Sequence, residues 1–166
     1  MEIAEGVAFV VKHPLLSRIT ACTSISNLFG SMAGALIVLY ALRDLGLSEA
    51  ALGLSFSAGA VGGLLGAFTS NRIIKWLGEG RAIPISAICI VPGGALLPLA
   101  GATIGGWEVP AVAALIGSSL IFTFFVVVYN VTQVSFRQRV CPKPLLGRMN
   151  ASIRFFVWGV MPIGAF

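Results

Sequence analysis

The chain has 166 residues, of which 57% are hydrophobic and only 10% charged, against about 25% charged in a typical soluble domain. With a mean hydropathy of +0.97, a water-soluble globule and a disordered chain are both excluded. So few charges cannot cover a surface, and the apolar excess does not fit inside a core this small. The composition predicts an all-α integral membrane protein with several spans.

The first eighteen residues carry Glu2, Glu5, Lys12 and Arg18. They lack an apolar core followed by a small-residue cleavage site, so they are expected as a short amphipathic lead-in broken at Pro14, not a signal peptide. Charge-free stretches then divide the chain at residues 19–42, 50–71, 82–107 and 109–136. Each exceeds the roughly 20 residues that cross about 30 Å of hydrocarbon as a helix. A shorter run, 155–166, is expected as the start of a fifth span cut off by the end of the chain. Barrel strands would be about 10 residues long and alternate in polarity; these runs do neither.

The basic residues orient the spans. Lys12 and Arg18, then Arg72, Lys75 and Arg81, then Arg137, Arg139, Lys143, Arg148 and Arg154 fall on one side, and Arg43 alone on the other. The N-terminus and the segments 72–81 and 137–154, expected as loops, are therefore assigned to the cytoplasmic side of a cell (plasma or inner) membrane. This accounts for the net charge of +5 without a nucleic-acid partner. Three cysteines, Cys22, Cys89 and Cys141, are an odd number and are expected as free thiols. No Cys/His cluster points to a metal, no cofactor is implied, and His13 is expected at the interface.

The first span carries a polar stripe. Thr20, Thr23, Ser24, Asn27, Ser31 and Gly34 fall within about 60° of one line on a helix at 100° per residue. Either they bond neighbouring helices or they line a water-filled path, and Asn27 is the sharpest candidate. The second span has a small-residue face of Ser55, Gly59, Gly62, Gly63, Gly66 and Ser70, expected to pack closely against another helix. Pro92, Gly93, Gly94, Pro98 and Gly101 break the third span, as kinks or as a site wall. The fourth carries Ser119, Thr123, Asn130, Gln133 and Arg137 on one face, a path, a gate network or a helix emerging into water.

No Asp or Glu lies within any span. Proton coupling usually needs such a group or a histidine in the membrane, and hydrolysis needs a base. Neither is at hand, and no GxxxxGK[ST] phosphate loop occurs, so the chain is not expected to be an enzyme.

Gly66-Ala-Phe-Thr-Ser-Asn-Arg72, Lys75 and Gly78-Glu-Gly-Arg81 resemble the cytoplasmic-loop motif of the major facilitator superfamily, with Ser70 where the stronger copy of that motif has an acid. Asn130-Val-Thr-Gln-Val-Ser-Phe-Arg137-Gln-Arg139, Pro142 and Leu146-Gly147-Arg148-Met-Asn150-Ala-Ser resemble the segment between helices ten and eleven of the branch that includes macrolide-efflux and enterobactin-export proteins. Trp158-Gly-Val-Met-Pro162-Ile-Gly164-Ala and Glu5-Gly6…His13-Pro14 resemble that branch's eleventh helix and its entry into helix seven. The resemblance covers nearly the whole chain. It implies a partial C-terminal half of a major-facilitator-type helical bundle: helices seven to ten plus the start of eleven.

On that resemblance the protein is expected to be part of a secondary transporter that exports amphipathic small molecules, such as drugs or siderophores, by alternating access with proton or ion antiport. Its partners would be the lipid bilayer, the small-molecule substrate and a missing N-terminal half that holds the coupling residues, so the chain alone is expected not to transport. The path would draw on Thr20, Ser24, Asn27, Ser31, Ser119, Thr123, Asn130 and Gln133. The cytoplasmic gate would draw on Gly66, Arg72, Lys75, Gly78, Arg81, Arg137, Arg139, Gly147 and Arg148. Gly59, Gly62, Gly63 and Gly66 would pack helices. The rival readings are a stand-alone small membrane protein that homodimerises and a non-transport membrane subunit.

Overall fold

A computed structural model describes residues 2–104 and 107–165. The chain is helical, with α1 (Glu2–Lys12), α2 (Pro14–Leu39), α3 (Glu49–Leu77), α4 (Glu79–Ala95), α5 (Ala111–Val140), α6 (Leu146–Gly159) and α7 (Met161–Ala165). A π-helical turn, Tyr40–Asp44, extends α2, and a 3-10 turn, Leu97–Leu99, follows α4. Two short antiparallel strands, β1 (Thr103–Ile104) and β2 (Trp107–Glu108), precede α5. Among the described residues four helices are long and apolar enough to cross a membrane: Pro14–Asp44, Glu49–Leu77, Glu79–Leu99 and Ala111–Val140. Exposed side chains such as Phe29, Leu36, Leu64, Phe68, Ile88 and Val91 form apolar outer faces that suit a lipid bilayer and not water.

Local chemistry explains the helix ends. Pro14 opens α2, where its missing N–H is no loss, and the preceding His13 Nδ1 accepts from the Leu16 N–H at 3.4 Å. Ser48 caps α3 by accepting from the Ala51 N–H at 3.2 Å, with Glu49 in the first turn and Lys75 in the last, each matching the helix dipole. Gly78 ends α3 and starts α4 with φ 73° and ψ 154°, a region that side-chain-bearing residues avoid.

The helix boundaries differ from the charge-free runs. The segment 72–81, expected as a loop, is helical except for Gly78: Arg72 and Lys75 belong to the C-terminal end of α3, where cations suit the helix dipole, and Arg81 already lies in the first turn of α4. The segment 137–154, also expected as a loop, holds the end of α5, a 3-10 turn at Lys143–Leu145 and the first half of α6. The charged residues therefore do not mark where the helices unwind. The third run, 82–107, is not one helix: α4 stops at Ala95, since Pro98 has no N–H with which to continue it, and the chain then turns into the β pair. That run includes residues 105–106, outside the described residues. Of the run 155–166, residues 155–159 continue α6 and residues 161–165 form α7, with the break at Val160 just before Pro162; Phe166 lies outside the described residues.

The chain divides into two compact units, Met1–Ile37 with Phe136–Phe166, and Val38–Ser135. In the first, α1 lies on α6. A Cβ at Gly6 would stand 2.7 Å from the Arg148 carbonyl oxygen, so the backbones are in near contact. Val10, Leu16, Cys141, Met149, Ile153 and Val157 form its buried apolar core. In the second, α3 and α4 pack on α5, and Ala41, Leu52 and Leu115 are buried together beside them.

Candidate functional site

The polar stripe of α2 divides in use. Thr23 donates to the Ile19 carbonyl at 2.8 Å and Ser31 to the Asn27 carbonyl at 2.8 Å, the ordinary back-bonding of hydroxyls in helices. Asn27 is engaged across helices: its Nδ2 donates to the Val157 carbonyl oxygen at 3.1 Å. Thr20 and Ser24 differ. Thr20 is buried and Ser24 half-buried, and neither hydroxyl oxygen has a hydrogen-bond partner. Both residues line a groove of about 280 Å³ with Val10, Val11, Ser17, Ala21 and Phe156. A buried hydroxyl without a partner costs about 1–3 kcal/mol, so this pair stands out chemically from the other hydroxyls of the stripe. The groove has an apolar wall and two neutral hydrogen-bonding groups, which suits an amphipathic ligand.

On α5 the candidates lie in the other unit. Ser119 and Thr123 are half-buried against α3: a Cβ at Gly59 would lie 3.2 Å from Thr123 Oγ1 and 3.4 Å from Ser119 Cβ. Gln133 is buried and donates through Nε2 to Asn130 Oδ1 at 2.8 Å, one turn away on the same helix. The small-residue face of α3 meets the α5 backbone. A Cβ at Gly62 would collide with the Leu120 carbonyl, one at Gly66 would stand 2.6 Å from the Phe124 carbonyl oxygen, and one at Gly63 would stand 3.2 Å from Thr123 Cγ2. Ser70, also buried, donates to the Gly66 carbonyl.

The basic candidates fall into two sets. Arg72, Lys75 and Arg81 are exposed, as is Gly78. Arg148 forms an ion pair with Glu5, Nη1 to Oε2 at 2.7 Å, which ties the start of α6 to α1. Arg137 is half-buried near the end of α5, while Arg139 and Gly147 are exposed. Cys141, just beyond α5, is buried, and desolvation raises its thiol above the ordinary value. Among the described residues no group of three or more His, Cys, Asp or Glu side chains is placed to hold a metal ion.

Several contributors emerge only from the fold. Phe156, Val10 and Val11 supply the apolar wall of the groove, and only the folding of α1 and α6 beside α2 brings them there. Glu5 lies in a segment that carries the resemblance, and its pairing with Arg148 appears only in the fold. Ser118 donates to the Gly93 carbonyl at 2.7 Å, and its position one residue before Ser119 is the only local hint. No protein-family model, no curated protein and no solved structure matches this chain.

Proposed function

We propose that the chain is part of a membrane transporter for amphipathic small molecules, a partial C-terminal half of a major-facilitator-type bundle that exports its substrate by alternating access. The reading rests first on the groove at Thr20 and Ser24. Two buried hydroxyls without partners, one helical turn apart and beside Val10, Val11 and Phe156, offer hydrogen bonds to a molecule whose remainder is apolar. The resemblance of the segments around Gly66–Arg81 and Asn130–Ser152 supports the family and the exporter branch. In this reading the N-terminus is cytoplasmic, Arg137, Arg139, Gly147 and Arg148 belong to the cytoplasmic gate, and a missing N-terminal half supplies the opposite wall and the coupling residues.

The test is cysteine accessibility. In a chain with the native cysteines replaced by serine, Thr20→Cys and Ser24→Cys in lipid vesicles are expected to react with a water-soluble thiosulfonate. Tetraphenylphosphonium, an amphipathic cation, is expected to slow the reaction. Inert positions, or reaction indifferent to the cation, would overturn the reading. The rival, a membrane subunit that does not transport, draws on Asn27, whose amide serves helix packing; it predicts that both positions are inert.

A further inference from the structure

One face of α3 is left uncovered, and its chemistry changes along its length. Successive residues of a helix turn by about 100°. Val61, Leu65, Phe68, Arg72, Lys75 and Trp76 therefore fall within about 60° of a single line, while the buried Ser55, Gly59, Gly62, Gly66 and Ser70 lie on the far side. All six are exposed, Phe68 at 81% and Trp76 at 83%. The face is apolar as far as Phe68 and becomes cationic one turn later. Arg72 and Lys75 have no acidic partner among the described residues, and no Asp or Glu lies on the face.

We infer that this end of α3 is a binding surface for anionic glycerophospholipid. Val61, Leu65 and Phe68 face acyl chains, Trp76 sits at headgroup level as interfacial tryptophans do, and the Arg72 and Lys75 heads reach along their stems to the phosphates. About 12 Å separates Phe68 from Trp76 along the axis, a length that spans the passage from hydrocarbon into the headgroups. The surface is independent of any transport activity, since it needs only that α3 cross a bilayer. It also assigns Arg72 and Lys75 to lipid and not to a protein gate.

The experiment uses the full chain with Trp107→Phe and Trp158→Phe, so that Trp76 alone fluoresces, in phosphatidylcholine vesicles. Brominated phosphatidylglycerol at low mole fraction is expected to quench Trp76 roughly two- to fivefold more than brominated phosphatidylcholine at the same fraction. Salt at about 0.5 M should narrow the difference by screening. Arg72→Gln with Lys75→Gln should abolish it, the charge-preserving pair Arg72→Lys with Lys75→Arg should keep it, and Lys143→Gln, elsewhere on the chain, should not change it. Equal quenching by the two lipids in the parent chain would overturn the inference, as would a preference that persists in the double glutamine variant or that high salt leaves undiminished.

Discussion

Asn27 and Val157 are 130 residues apart and joined by one hydrogen bond, from the Asn27 Nδ2 to the Val157 carbonyl oxygen at 3.1 Å. Val157 lies in the last turn of α6, whose carbonyls have no partner within the helix. The break before Pro162 creates that need, and a side chain on α2 meets it. The other unit repeats the arrangement with different residues. Gly93 lies in the last turn of α4, and Ser118 on α5 donates to its carbonyl at 2.7 Å. In both places a long helix supplies a polar group where a shorter one ends. Water can do this in a soluble protein, but hydrocarbon cannot.

Removing either donor should loosen the fold modestly. Asn27→Leu and Ser118→Ala are each expected to destabilise the chain by about 0.6 kcal/mol and at most about 1.7 kcal/mol, the range for interhelical hydrogen bonds in membranes. Denaturation of the purified chain in mixed micelles measures this. A change beyond about 3 kcal/mol would show that the bond holds more than a helix end.

The α3–α5 contact should be far less tolerant. Gly62→Ala places a methyl group against the Leu120 carbonyl, backbone that cannot move aside cheaply, and should cost about 1–3 kcal/mol. Gly30→Ala, where nothing lies within 4 Å of the new carbon, should be neutral or slightly stabilising, since alanine is the better helix former. Equal effects of the two in the same denaturation assay would contradict the packing described here.

The two ties between α1 and α6 should differ in strength. Glu5 and Arg148 are 61% and 36% exposed, and solvent-screened pairs contribute about 0–1 kcal/mol. Glu5→Gln should therefore leave stability nearly unchanged, with a small effect that fades in salt. Gly6→Val pushes a side chain into the Arg148 backbone and should separate the helices, read as faster proteolysis near residues 1–12.

Cys141 should be a slow thiol. Burial disfavours its thiolate and raises its pKa, so maleimide labelling at neutral pH should lag behind that of a free thiol. The rate should keep rising through pH values at which an ordinary thiol, near pH 8.5, has levelled off. The sign for stability follows: the unfolded thiol ionises at lower pH than the folded one, so this contribution is intact below the ordinary thiol value and declines as pH rises past it. Mass spectrometry of the labelled chain against pH reads the first effect directly.

The membrane character, the number of long apolar helices and the small-residue face of α3 are legible in the residues alone. Hydropathy, charge spacing and helical periodicity are local, and each residue contributes without reference to distant ones. Composition marks lipid-compatible runs well and helix ends poorly: Gly78 breaks a charged segment that is helical on both sides of it, and the helix ends near Pro98 and Pro162 lie inside apolar runs. The polar stripe of α2 shows where local reading stops. Thr20, Ser24, Asn27 and Ser31 share a face and similar chemistry, so nothing in their spacing separates them. Folding of α6 and α7 beside α2 does so, giving Asn27 a carbonyl acceptor while Thr20 and Ser24 are left beside a groove without one. A hydrogen-bond partner 130 residues away depends on which helices cross, and that is a property of the packed unit they form.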